Sequence, residues 1–390
     1  MRSVVKLSPL LVLANSQIAK AEPDVNWDAE NPNTLNFFLS TPAVGAKVGT
    51  GEIIDIQSEK TGAYDAGFVC SIKDISSLVQ NDLHITRIEP IVSEYSSGAI
   101  VHHMDLFACE ESPLEEFNSL NGRIEQSEWC AYDSFLNTAC KQILWAYDKG
   151  ADAFDFPQDT GIVMGPSSGY NTLLFQIHYL LPEDYLQDGQ GFDDTSGFRL
   201  ITEPIQRPHD LGLFGFIGVD LNIPPGETSF EYRAHLTPDQ LADCVSDFKA
   251  NNGKVFPVAV HLHGHDHLIS ARLEHYRNDV LIGTYGEINP YHGYGHDQTF
   301  FHLNGSPTDE QNGSTVEPLL EGDSLTFVCT YDSSGEISNM RHGVSHGDEM
   351  CAPLVLYYPK ARGHAGLMNE NVAMVYHPGN IDLAGFEDEA

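Results

Sequence analysis

Val255-Phe256-Pro257-Val258-Ala259-Val260-His261-Leu262-His263 is the stretch whose reading decides the fold. A mostly apolar run rich in valine leads straight into a His-x-His step, which favours a pleated, buried backbone. The run therefore reads as a β-strand with a buried start. Side chains alternate between the faces of a strand, so His261 and His263 point the same way. Two imidazoles on one rigid face grip a metal efficiently, and neutral imidazole suits copper, zinc, iron or nickel. The alternation continues to His265 and His267 unless Gly264 ends the strand, so His263 with His265 is a second possible register. A solvated polar face is the plainer reading, and the apolar lead-in argues against it.

The same pattern of short strand and turn recurs on both sides. His84 to Val92, Ile100 to Cys109, Thr172 to Leu180 and Gly197 to Glu203 read as strands in the first half. Leu213 to Leu221, Ser229 to His235, Leu268 to Tyr276, Val280 to Tyr285, Thr299 to Leu303 and Ser324 to Tyr331 follow in the second. Pro224-Pro225-Gly226 and Gly322-Asp323 punctuate them. Helical periodicity is scarce, and Thr237 to Lys249 is the best candidate. Many short strands with Gly/Pro turns indicate an all-β chain of sandwiches or jelly rolls. At 390 residues the chain is long for one domain. We expect a boundary near Pro208 to Leu211, giving domains at 22–210 and 211–362 and an acidic tail at 363–390.

The charge balance narrows the partners. Lys and Arg number 20 against 56 Asp and Glu, for a net charge of −36. Such a surface repels phosphate backbones, so nucleic acid is a poor partner. It attracts cationic small molecules such as amines, although solubility explains the excess more simply. The first 21 residues read as a secretory signal: Arg2 and Lys6, a short apolar run from Leu10 to Ala14, then Ala19-Lys20-Ala21 before Glu22. No later stretch reaches the ~18 apolar residues of a membrane span. A secreted or secretory-lumen protein is expected. Its 7 cysteines then imply disulfides with one sulfur left over. Asn304-Gly305-Ser306 and Asn312-Gly313-Ser314 are candidate glycosylation acceptors in one polar loop.

Three further motifs carry chemistry. Val101-His102-His103-Met104-Asp105-Leu106-Phe107-Ala108-Cys109 holds two adjacent histidines. In a regular strand neighbours face opposite ways, so the pair shares a metal only at a strand end or a distortion. Phe175-Gln176-Ile177-His178-Tyr179 puts Gln176 and His178 on one face, able to complete a three-histidine site. Gly347-Asp348-Glu349-Met350-Cys351 offers a thioether, a soft ligand that favours Cu(I).

Taken in order, these residues resemble the copper type II, ascorbate-dependent monooxygenases, a family that includes dopamine β-monooxygenase and the peptide-amidating hydroxylases. The likeness runs over roughly residues 60 to 360. It rests on His-His-Met with Phe-x-Cys at 102–109, Gln-x-His-Tyr at 176–179 and Pro-Pro-Gly at 224–226. His-x-His at 261–263, Asp-Glu-Met-Cys at 348–351 and Tyr-Tyr-Pro at 357–359 complete it. The resemblance implies two antiparallel jelly-roll β-sandwich domains packed side by side, with a solvent-filled interdomain cleft. It implies two copper ions: one for electron transfer on His102, His103 and His178, and one that meets O2 on His261, His263 and Met350. Gln176 joins the catalytic set. Ascorbate would supply the electrons. It further implies disulfides Cys70–Cys130, Cys109–Cys140 and Cys329–Cys351, leaving Cys244 for a thiol or an intermolecular bridge.

The chain departs from the peptide-amidating members. Their Arg, Asn and Tyr correspond here to Ala259, Ala352 and Leu354. Without a guanidinium a peptide carboxylate lacks its bidentate partner, so a small organic substrate is the expectation. A non-catalytic copper- or ligand-binding member of the family is the alternative. A zinc hydrolase built on the His-Leu-His step is a third reading, and it has no use for Met350.

Overall fold

The computed structural model describes residues 23–27, 34–39, 43–44, 56–57, 63–92, 101–109, 140, 142–182, 192–193, 196–204, 207–293, 295–303, 316–343, 347–361 and 372–375. The predicted signal, both sequons, Cys130, and the tail apart from 372–375 lie outside the described residues. The Cys70 side chain does too, and with it the Cys70–Cys130 pairing.

The first half is built on β1 (Ala63–Asp74), β2 (Leu83–Ile91), β3 (Val101–Cys109), β4 (Gln142–Asp148), β5 (Thr160–Met164), β6 (Thr172–Pro182), β7 (Gly197–Glu203) and β8 (His209–Asp210). One sheet runs Pro23–Trp27, Thr34–Leu39, β7, β2, β5, β8; its neighbour runs Ile56–Gln57, β1, β6, β3, β4. Their inner faces interdigitate, with Phe175 of β6 edge-on to Phe198 of β7 at 5.7 Å between ring centroids. Both rings are fully buried, and each contributes roughly 1.5–3 kcal/mol of hydrophobic stabilisation. Within β3 every residue is buried except His102 and His103, which are half-buried.

The second half comprises β9 (Gly212–Gly218), β10 (Phe230–Leu236), α1 (Pro238–Cys244), β11 (Lys254–His263), β12 (Leu268–Arg277), β13 (Val280–Ile288), β14 (Asp323–Tyr331), β15 (Ala352–Tyr358) and β16 (Val372–Val375). One sheet runs Phe301–His302, β11, β15, β9, β16, and the other β10, β14, β12, β13. Phe214, Phe216, Val260, Leu262 and Val355 of the first meet Tyr232, Leu273 and Phe327 of the second in one core. A disulfide, Cys329–Cys351, ties the two sheets. The chain is thus all-β, as its strand pattern predicts: pairs of facing, mainly antiparallel sheets. The parallel exceptions are edge pairs, β5 with β8 and β9 with β16.

Several local details differ from the sequence reading, which also passes over the strands β1, β5 and β15. Val372–Val375, assigned there to the tail, is an edge strand on β9. The helix is shorter than Thr237 to Lys249: Thr237 and Gln240 cap it reciprocally, Pro238 opens it, and it stops at Cys244. Val245 and Phe248 then turn into the core through a short 3-10 turn at Ser246–Phe248. The strand expected over Thr299 to Leu303 contracts to Phe301–His302. Most consequential is β4, a strand the sequence reading passes over.

Among the described residues no strand ladder crosses from one half to the other. The halves are nonetheless in contact. Trp145 of β4 stacks on Phe300 at 4.3 Å, and Phe154 stacks on His302 at 4.5 Å. The Lys360 amide donates to the Asp210 carbonyl at 2.8 Å. The first core accordingly continues into Val258, Ala259, Leu356 and Tyr358. No helix among the described residues is long and apolar enough to cross a membrane.

Candidate metal centres

His102, His103 and His178 come together on β3 and β6, with one ligand atom from each within 4.8 Å of the others. Ring centroids are 5.5 Å apart for His102 and His103, 5.2 Å for His102 and His178, and 4.9 Å for His103 and His178. The sequence poses a problem here, because adjacent residues on a strand should face apart. A β-bulge solves it. His178 pairs with His103, but the next residue, Tyr179, pairs with Val101, so His102 is the extra residue of the bulge. A bulge breaks the alternation locally and re-aims a side chain, which brings both imidazoles to one side. Burial and the neighbouring imidazoles hold His102 and His103 well below the ordinary histidine range. Both are thus neutral at pH 7, the form that binds a metal. Gln176 is buried two residues before His178, opposite Asp105 on β3. Burial, with Asp148 nearby, raises the Asp105 carboxyl to about 8.

The second set forms at the end of β11. His261 and His263 lie on one face, as their spacing predicts, with ring centroids 5.7 Å apart. A third group meets them that the sequence reading does not name: Asp148, the last residue of β4. Its Oδ2 lies 3.1 Å from His261 Nε2 and 3.3 Å from His263 Nδ1. Burial would raise this carboxyl, but the His263 and His261 imidazoles outweigh it and hold Asp148 well below the carboxylate range. Reciprocally, burial would lower His263, but Asp148 raises it to about 9. Without a metal the two form a buried ion pair. Asp148 is also the cross-strand partner of His103, so it stands between the two sets in the β3–β4 register.

Met350 is buried, 7% exposed, just before β15. On β15, Ala352 and Leu354 pair directly with His263 and His261. Directly paired residues share a face, so Ala352 and Leu354 lie on the face of His263 and His261. The Met350 backbone is pinned from three sides. Tyr331 donates its hydroxyl to the Met350 carbonyl at 2.7 Å, and Cys351 is bridged to Cys329. On the other side Glu349 is fully buried. Glu349 accepts the His265 amide at 3.1 Å and the His267 amide at 2.8 Å.

These contacts bear on the register left open by the four alternating histidines. The strand ends at His263. His265 Nδ1 lies 2.8 Å from the Asp348 carbonyl, and His267 sits between Glu349 and Glu336 at 3.2 Å from each. The structure therefore groups His261 and His263 with Asp148, and engages His265 and His267 with the loop before Met350. His265 approaches the first set: its ring is 6.0 Å from that of His102.

Two of the remaining expectations concern cysteine. Cys109–Cys140 is a disulfide, joining the end of β3 to the approach to β4 around the 110–139 segment. Cys244 carries its sulfur as a buried thiol in α1.

Comparison with known proteins agrees with the motifs. Residues 54–185 match the N-terminal domain, and 213–372 the C-terminal domain, of the copper type II ascorbate-dependent monooxygenases. The chain is 28% identical over 330 residues to dopamine beta-hydroxylase of Rattus norvegicus, covering 83% of this chain and 48% of that protein. It is 27% identical over 284 residues to DBH-like monooxygenase protein 1 of Gallus gallus, covering 71% and 42%. With tyramine beta-hydroxylase of Caenorhabditis briggsae it shares 25% identity over 286 residues, covering 72% and 43%. The chain thus spans less than half the length of these relatives. With both domains matched in order, the chain belongs to the copper type II ascorbate-dependent monooxygenase family.

Proposed function

We propose that this chain is a two-copper enzyme that hydroxylates a C–H bond of a small organic substrate, using O2 and electrons from ascorbate. The observation that carries the reading is the convergence of His102, His103 and His178 in one group and of His261 and His263, with Asp148, in another. His102, His103 and His178 would hold one copper through nitrogen alone. His261, His263 and Met350 would hold the other, with the soft thioether favouring Cu(I). The residues fit such ions. Donor atoms of His102, His103 and His178 lie within 4.8 Å of one another, as do those of His261, His263 and Asp148, and both ring nitrogens of His261 are buried without a hydrogen-bond partner. Bound copper would supply the one-electron steps and the activation of O2. The protein holds the His102 and His103 imidazoles neutral, anchors the Met350 backbone, and packs Phe300 against His261 at 5.2 Å. In this reading the domains span 22–210 and 211–362, the chain enters the secretory pathway through residues 1–21, and Asn304 and Asn312 carry glycans. The net charge of −36 suits a cationic amine as substrate.

One observation favours a second reading. Asp148 with His261 and His263 is a donor set that zinc also takes. Metal analysis separates the two. The proposal requires two equivalents of copper per chain, one of which is lost in His178→Ala, and O2 uptake that depends on ascorbate and a phenethylamine. Zinc in place of copper at His261 and His263, or fewer than two copper equivalents on a folded chain, overturns it. Two coppers without ascorbate-dependent turnover would leave a copper-binding, non-catalytic member.

A further inference from the structure

Asp148 belongs to one half of the chain and faces the histidines of the other. Its carboxylate is only 9% exposed, and Oδ2 stands 3.1 Å from His261 Nε2 and 3.3 Å from His263 Nδ1. A carboxylate between two imidazoles is either their counter-ion or their fellow ligand. The geometry separates these roles. His261 Nε2 is near Oδ2 yet makes no hydrogen bond to it, and Nδ1 of the same ring has no hydrogen-bond partner either. A buried polar atom left unmet costs about 1–3 kcal/mol, so a counter-ion role would leave the site poorly satisfied. The three donor atoms instead lie within 4.8 Å of one another. Ligands bound at about 2.0–2.2 Å from one ion stand no more than about 4.4 Å apart, so only small movements are needed.

Building on the proposed two-copper reading, we propose that Asp148 is a ligand of the metal held by His261 and His263, supplied across the boundary between the two halves. The second centre is then complete only while the halves are packed together. Its position is set by the β3–β4 pair, where Asp148 stands opposite His103, and by the Cys109–Cys140 bridge at the other end of that pair. Movement of β4 therefore reaches both centres. A carboxylate is a hard, anionic donor that favours Cu(II), opposing the preference of Met350 for Cu(I).

The test is titration of the copper-depleted chain with Cu(II) against a competing chelator, with the electron paramagnetic resonance spectrum recorded at each equivalent. In Asp148→Asn the second equivalent should bind at least ~10-fold more weakly with an altered spectrum, while the first is unchanged and reports an intact fold. Asp148→Glu should recover part of the affinity. Equal affinity and an identical spectrum in Asp148→Asn overturn the assignment and leave the two-copper reading standing. If the variant does not fold, a crystal structure of the copper-loaded natural chain decides, and an Asp148 oxygen more than about 3 Å from the ion sinks the proposal. A natural chain that takes up no second copper rejects the reading on which the proposal rests.

Discussion

Replacing Glu349 by Gln tests whether the residue before Met350 holds the second centre in shape. The carboxylate is fully buried: one oxygen takes the His265 amide at 3.1 Å, and the other takes the His267 amide at 2.8 Å. The second oxygen also lies 3.2 Å from His267 Nδ1, and this contact helps raise the His267 imidazole above its ordinary value. Gln keeps the shape and one carbonyl oxygen, but its amide nitrogen must face an N–H donor on one side. At least one hydrogen bond to a charged group is lost, worth ≈1.5–3 kcal/mol, and a buried donor is left unmet. The expected cost is about 2–4 kcal/mol, which lowers Tm by roughly 5–15 °C for a sandwich of this size. Because Glu349 anchors the turn next to Met350, copper affinity at the second centre should also fall by about 10–100-fold, with the first centre spared. Calorimetry and stepwise copper titration measure both effects. A variant with unchanged Tm and an unchanged second copper would refute the idea that Glu349 positions Met350.

Acid should weaken the second sandwich through a pair far in sequence from Met350. His275 Nε2 lies 2.7 Å from Asp323 Oδ2, and Arg277 braces the same carboxylate at 2.9 Å. Burial holds His275 below its ordinary 6.5 despite Asp323, so the unfolded chain protonates first and stability falls as pH drops through 6.5. Burial opposes the ionised Asp323, but Arg277 and His275 hold its carboxyl below 3.8; that contribution persists above 3.8 and disappears as pH falls through the lowered value. In urea unfolding, the stability gap between the natural chain and His275→Gln should narrow from pH 7 to pH 5; a constant gap contradicts the sign. Separately, Trp145→Ala removes the ring that packs on Phe300, Phe154 and Phe156, and should cost about 3–5 kcal/mol in denaturant unfolding. A loss below about 1 kcal/mol would mean that this stack contributes little to joining the halves.

Many of the strands, their faces and the kinds of candidate ligand were legible in the sequence because alternation is a local property; β1, β4, β5 and β15 were not named. His261 and His263 share a face whatever surrounds them, and the valine-rich lead-in marks their strand as buried. The Gln176–His178 spacing and the Cys351 neighbour of Met350 were legible for the same reason. The bulge at His102 was not, since it depends on how β3 pairs with β6 rather than on β3 itself. Nor could the four alternating histidines be sorted by period alone. His265 and His267 fall beyond the end of the strand, where Asp348, Glu349 and Glu336 engage them, while the His265 ring stays 5.4 Å from that of His263. Asp148 was hidden most completely. Gln142-Ile143-Leu144-Trp145-Ala146-Tyr147 offered a strand signal, but nothing nearby marks the aspartate that follows as chemical. Its charge acquires meaning only when two sandwiches, with no ladder between them, pack β4 against the end of β11. Burial then turns an ordinary turn-proximal acid into the partner of two imidazoles more than a hundred residues away.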